Sequence, residues 1–122
     1  MTREKGNYTR TGGGTTVFDR EELMKRMMED EEIVKGVIER FLKETPQKLT
    51  LLKEALEDRD ADQARIHAHS LKGTSSILSA QAMSETAFQV EIAAESRDIE
   101  KAIILFNDVL AQFEILKGII SD

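Results

Sequence analysis

The chain has 122 residues, 40% hydrophobic and 33% charged, with 23 acidic against 17 basic residues for a net charge of −6, which suits one soluble domain around a single core. No run of Lys or Arg is present to meet a phosphate backbone, and the acidic balance opposes docking on an anionic bilayer, so neither nucleic acid nor membrane is an expected partner. Cysteine is absent, which removes disulfides, thiol catalysis and zinc–thiolate sites; a cytoplasmic setting is expected, with no apolar run near the roughly 20 residues that span a bilayer and no signal-peptide core.

Residues 1–16 (MTREKGNYTRTGGGTT) are polar, rich in Gly and Thr and without periodicity, and read as a flexible N-terminal tail or linker. Residues 17–122 form the domain. Asp19 followed by Glu22 resembles a capping box, so a short helix is expected from Arg20 to about Met28. Asp30 can cap the next helix, with Ile33, Val37, Phe41 and Leu42 at helical spacing. Thr45-Pro46 reads as an N-cap and first helical position, where the chain either kinks or restarts. Leu49, Leu52, Ala55 and Leu56 then carry the apolar stripe to about Arg59.

Asp60 starts a stretch in which Ala61, Ala64, Ala68, Leu71, Ser75 and Leu78 recur every three or four residues, one helix face whose small side chains allow close packing. After a turn near Ser79 comes a helix with Met83, Ala87, Val90 and Ala94. Asp98 can cap a last helix with Ile103, Phe106, Leu110, Phe113 and Leu116 on one side. Aromatics are only 5% of the chain and proline occurs once. The expected fold is all-α: an antiparallel four-helix bundle with a short additional N-terminal helix. Met24, Met27 and Met28 have the spacing of core residues.

Helical phase singles out His69. The inward stripe runs through Ala64, Ala68, Leu71 and Ser75, whereas His69 shares its side with Asp62, Arg65, Lys72, Gly73 and Ser76. A lone exposed histidine is usually a solvated side chain. Here the residue three positions on is a cation and the next has no side chain, and residues at those spacings are surface neighbours. A neutral imidazole, with an unperturbed pKa of about 6.5, offers a nucleophilic nitrogen near neutral pH. A transferring phosphoryl spreads negative charge that the Lys72 ammonium can stabilise. Gly73 costs about 1 kcal/mol relative to alanine in a helix interior, and clearance for an approaching protein is a compensating reason. Arg65 and Ser76 lie on the same face and could touch that protein. His67, about 200° around the helix from His69, is expected to be structural.

Ala68-His69-Ser70-Leu71-Lys72-Gly73 resembles the A-H-x-L-K-G signature of histidine-containing phosphotransfer (HPt) domains, the intermediates of multistep phosphorelays. Softer matches at Val17-Phe18-Asp19 with Leu23, Asp30-Glu31-Glu32 with Phe41-Leu42, and Thr74-Ser75-Ser76 extend the resemblance over about residues 17–120. The resemblance implies a signal-transduction module that accepts a phosphoryl group on His69 from a receiver-domain phospho-aspartate and passes it to another receiver's aspartate. It implies no ATP binding, no autonomous kinase activity, no metal and no cofactor of its own, the Mg²⁺ being brought by the receiver. Its partners would be response-regulator receiver domains, with a hybrid sensor histidine kinase possible in cis or in trans. By position, Glu91 matches the Gln or Glu with which the family orients the imidazole, and Gln89 is the weaker candidate. The chain departs from the family at Ile77, where Asn is frequent, and at Ser79-Ala80, where Gly-Ala is frequent; this affects the helix boundary.

Two alternatives stay open. One is the phosphorylatable domain of a chemotaxis-type histidine kinase, phosphorylated by an ATP-bound kinase domain. The other is an inert helical adaptor that docks receivers without chemistry. A metal-dependent bundle hydrolase is disfavoured, because the Glu-x-x-His pattern of carboxylate-bridged bundles is missing. A monomer is expected, since a complete bundle buries its own core.

Overall fold

The chain is described by a computed structural model over residues 7–9 and 16–121. Five helices follow a short ribbon: β1 (Asn7–Thr9), β2 (Thr16–Asp19), α1 (Arg20–Arg26), α2 (Glu31–Glu57), α3 (Ala61–Ile77), α4 (Gln81–Glu95) and α5 (Ile99–Ile120). The four long helices and the short leading one are those expected from periodicity. The ribbon is not. β1 and β2 pair antiparallel, with Tyr8 opposite Phe18 in register. Four residues are too few for period-2 alternation to stand out, but Thr-Val-Phe carries strand-favouring side chains, and Phe18 is buried. The rest of the 1–16 stretch lies outside the described residues.

Aspartates begin four of the helices. The carboxylates of Asp19, Asp30, Asp60 and Asp98 accept from amides of Glu22, Glu32 and Ile33, Gln63, and Lys101 at 2.9–3.2 Å, satisfying donors that the first turn leaves unpaired. α4 has Ala80 as its N-cap and so no side-chain cap. Proline 46 neither ends nor restarts α2, which is continuous from Glu31 to Glu57. Thr45 is therefore not an N-cap but a fully buried residue within the helix. Burial of Phe41, Thr45, Leu49 and Leu52 across the proline provides the tertiary packing that outweighs one missing N–H.

Three helix-to-helix turns are built alike. Arg59, Ser79 and Arg97 have φ of 57°, 65° and 64°. The next amide in each case bonds back across the helix end, Asp60 to Ala55 O, Ala80 to Ser75 O and Asp98 to Ala93 O, each at 2.9 Å. This is the Schellman closure, made without glycine. At Ser79, where glycine would be the strain-free residue, the last residue of α1 supplies a compensation: Arg26 Nη1 donates to Ser79 Oγ at 3.0 Å and to Ser76 O at 2.8 Å. Asp19 N–H also donates to Ser79 O at 3.0 Å, so the ribbon and α1 are tied to the α3–α4 turn.

The core is aliphatic, with Leu52, Leu71, Leu78, Met83, Val90, Val109 and Leu116 fully buried and a tilted Phe41–Phe113 pair at 6.0 Å between centroids. Ala64 and Ala68 of α3 and Ala87 and Ala94 of α4 have no exposed surface; their small side chains let these two backbones approach closely. Met24 and Met27 pack against the core. Met28 does not: it is 85% exposed, because it lies past the end of α1 with a positive φ that turns it away from the stripe. Ile33 is likewise outside the core, where Val34 is buried instead.

Candidate functional site

α3 separates its faces as its sequence demands. Ala64, Ala68, Leu71 and Ser75 are buried, while the His69 side chain is 62% exposed. The imidazole is nonetheless held. Its Nδ1 lies 3.0 Å from Glu91 Oε2, a residue of α4 whose side chain is only 15% exposed. A carboxylate can only accept, so this bond places the proton of the neutral ring on Nδ1 and leaves Nε2 with its lone pair free.

Glu91 also faces Lys72. Lys72 Nζ is 3.6 Å from Glu91 Oε1 and 4.7 Å from the centroid of the Phe88 ring. At 3.6 Å the ammonium and carboxylate attract as charges without a hydrogen bond, and Oε1 is a buried oxygen with no hydrogen-bond partner among the described residues. One carboxylate thus spans the imidazole and the lysine. A hydroxyl fixes the backbone beneath them: buried Ser84 donates from Oγ to Lys72 O at 3.1 Å and lies 2.7 Å from Ser76 Oγ.

Gly73 is exposed, and a Cβ built there would meet nothing within 4 Å. Arg65 is half-buried and, among the described residues, makes no ion pair or hydrogen bond. Ser76 is exposed, but its hydroxyl is already engaged with Ser84. Gln89 is exposed on another side of α4 and makes no bond to the ring. His67 is half-buried, two residues from His69, without a hydrogen-bond partner among the described residues.

Several neighbours had no signal in the periodicity. Phe88 and Ser84 lie three and seven positions before Glu91, on the α4 face turned to Lys72; counting back from Glu91 would have found them. On the other flank, Lys48 Nζ of α2 donates to Ser70 Oγ and Thr74 Oγ1, both at 2.9 Å. Ile66, Ile77, Phe88 and Ile92 are large apolar residues left 44–54% exposed on α3 and α4. Among the described residues, no three His, Asp or Glu side chains converge as metal ligands, and no helix is long and apolar enough to cross a membrane.

Comparison with known proteins bears on the family and the fold. The family model for the Hpt domain matches residues 36–116, which spans α3, α4 and most of α2 and α5. The crystal structure of histidine-containing phosphotransfer protein B (HptB) from Pseudomonas aeruginosa PAO1 is similar at a TM-score of 0.77 and 25% identity, over 83% of this chain and 88% of that chain. No curated protein matches the sequence.

Proposed function

The chain belongs to the Hpt domain family and is a phosphotransfer module of a phosphorelay; from that premise we propose that His69 is its phosphoacceptor and that Glu91, Lys72 and Gly73 make it competent. The observation that carries this reading is the 3.0 Å contact between His69 Nδ1 and Glu91 Oε2 beside an open Nε2. Nε2 attacks the phosphorus of a receiver's aspartyl phosphate. As the N–P bond forms, the P–O bond to the aspartyl group breaks, and the carboxylate leaves with the electron pair. A second receiver's aspartate reverses the step. This is nucleophilic catalysis divided between two proteins. Glu91 holds the tautomer and offsets the positive charge that develops on the ring, as a carboxylate does behind a catalytic histidine. Lys72 offers positive charge to the equatorial phosphoryl oxygens.

Gly73 supports the same reading. Nothing among the described residues would obstruct a side chain there, so their packing does not require glycine. A requirement imposed by an approaching partner accounts for it. Hpt domains exchange phosphoryl groups with response-regulator receivers, and the exposed Ile66, Ile77, Phe88 and Ile92 give a receiver apolar surface around His69. We place Arg65 and Ser76 at the rim of that contact, Arg65 by its uncommitted charge. Mg²⁺ is read as arriving on the receiver, with no cofactor on this chain. The domain is read as a cytoplasmic monomer served by receivers, whether free or within a hybrid kinase.

The test is to incubate the protein with a phosphorylated receiver in the absence of ATP and to map acid-labile label. Label on His69 that is lost in His69→Gln and kept in His67→Gln is the expected result. Label that persists in His69→Gln sinks the assignment. A protein that binds the receiver and takes no label is an adaptor, and one labelled only by an ATP-bound kinase domain is a kinase substrate domain.

A further inference from the structure

We propose that Phe88 is a positioning residue for phosphotransfer, one that keeps the Lys72 ammonium poised between the ring and Glu91 with its hydrogens uncommitted; this rests on the reading of His69 as phosphoacceptor. Ser84, Phe88 and Glu91 stand at i, i+4 and i+7 on one face of α4, and all three address Lys72. Ser84 Oγ fixes its backbone carbonyl at 3.1 Å, Glu91 Oε1 lies 3.6 Å from its Nζ, and the Phe88 ring centroid lies 4.7 Å from the same atom. The lysine side chain is 30% exposed, so the attraction between cation and ring is partly shielded from water, and such contacts strengthen as water is excluded.

The geometry has a consequence for donors. Lys72 Nζ makes no hydrogen bond among the described residues, and Glu91 Oε1 is buried and has no hydrogen-bond partner. A flexible ammonium beside an unsatisfied carboxylate oxygen would ordinarily close the gap and donate to it. The ring attracts the ammonium from another direction and holds it at charge-pair distance. Donors that are not spent on Glu91 stay available for phosphoryl oxygens, and Glu91 keeps its negative charge directed at His69 Nδ1. Removing the ring lets Lys72 collapse onto Oε1, which weakens both functions together. A large aromatic left 44% exposed on the polar side of α4 thereby has a role in the chemistry as well as any role in contact.

The test is single-turnover transfer from an isolated receiver domain phosphorylated with a small acyl phosphate, followed over a range of receiver concentrations. The proteins compared are the wild type, Phe88→Leu, Phe88→Tyr, Lys72→Met and the Phe88→Leu/Lys72→Met pair. Phe88→Leu is expected to lower the maximal rate at saturating receiver about three- to tenfold, over and above any rise in the half-saturating receiver concentration from the lost ring surface. Phe88→Tyr, which keeps the π face, should restore it. In the Lys72→Met background the Phe88→Leu change should have no further effect, the non-additivity of two residues acting through one contact. The proposal is overturned by a Phe88→Leu rate equal to wild type, or by the same loss with and without Lys72. A loss seen only as weaker receiver binding overturns it too, since Phe88 is then a docking residue. Wild-type protein that takes no label on His69 would defeat the underlying phosphotransfer reading as well, whereas the other failures leave that reading standing.

Discussion

His67 and His69 are two residues apart on the same helix and have the same ring, yet their surroundings differ in every respect that matters for chemistry. His67 is half-buried on the flank of α3 and has no hydrogen-bond partner among the described residues. His69 is 62% exposed and fixed from behind by Glu91 at 3.0 Å, with Lys72 one turn along. Exposure and rigidity usually oppose each other, because a side chain open to solvent keeps its rotamer freedom. Here a carboxylate on the neighbouring helix orders the imidazole through Nδ1 and leaves the outer nitrogen open. On the proposed reading of His69 as phosphoacceptor, a nucleophile on a helix surface is defined by what stands behind it as much as by what lies in front.

Removing the two rings one at a time should have the largest and most unequal effects. His69→Gln is expected to abolish acid-labile labelling by a phosphorylated receiver, while His67→Gln retains it, as read by phosphate mapping of the two variants side by side. Next in size is Glu91→Ala. It removes a charge-assisted hydrogen bond worth about 1.5–3 kcal/mol, so the transfer rate should fall about ten- to hundredfold. Glu91→Gln, which keeps an acceptor for Nδ1–H, should recover much of that loss, and stopped-flow or quench kinetics would separate them.

Gly73→Ala should move stability and function in opposite directions. An alanine meets nothing within 4 Å, so the helix should gain about 0.5–1 kcal/mol in denaturant unfolding, whereas transfer from the receiver should slow severalfold. Equal or faster transfer by the more stable variant would remove the steric-access role. The smallest effect is assigned to His67→Gln, expected to change unfolding free energy by no more than about 1 kcal/mol and the transfer rate by less than about twofold. A larger rate change would mean that the flank of α3 takes part in the reaction.

Much of the scaffold could be read before any coordinates. Asp30, Asp60 and Asp98 announce helix starts because a short acidic side chain can satisfy first-turn amides wherever it stands, and each of them does. The α3 stripe of Ala64, Ala68, Leu71 and Ser75 follows from 3.6-residue periodicity alone. Where periodicity was ambiguous, packing decided. Thr45-Pro46 has the chemistry of a helix start, yet α2 passes through it because Phe41, Thr45 and Leu49 are buried on one continuous face. Met28 has core spacing but a left-handed backbone, and no local pattern reveals that conformation in a methionine. The α3–α4 turn likewise lacks the expected glycine; Ser79 adopts the strained conformation with support from Arg26, 53 residues away in sequence.

The candidate site divides along the same line. That His69, Lys72 and Gly73 share an outward face follows from their spacing, since all three lie on one helix whose geometry is fixed by backbone hydrogen bonding. Spacing within α3 could not say which residue of α4 lies behind the ring; Glu91 came from resemblance to a family, and its distance from Nδ1 only from the fold. That Lys72 sits between a carboxylate and the ring of Phe88, without donating to either, was decided wholly by tertiary structure. The register of α3 against α4 is set by the alanines buried between them and by the Ser84 hydroxyl on Lys72 O, and such an interhelical register depends on how two faces interlock, which neither helix encodes alone.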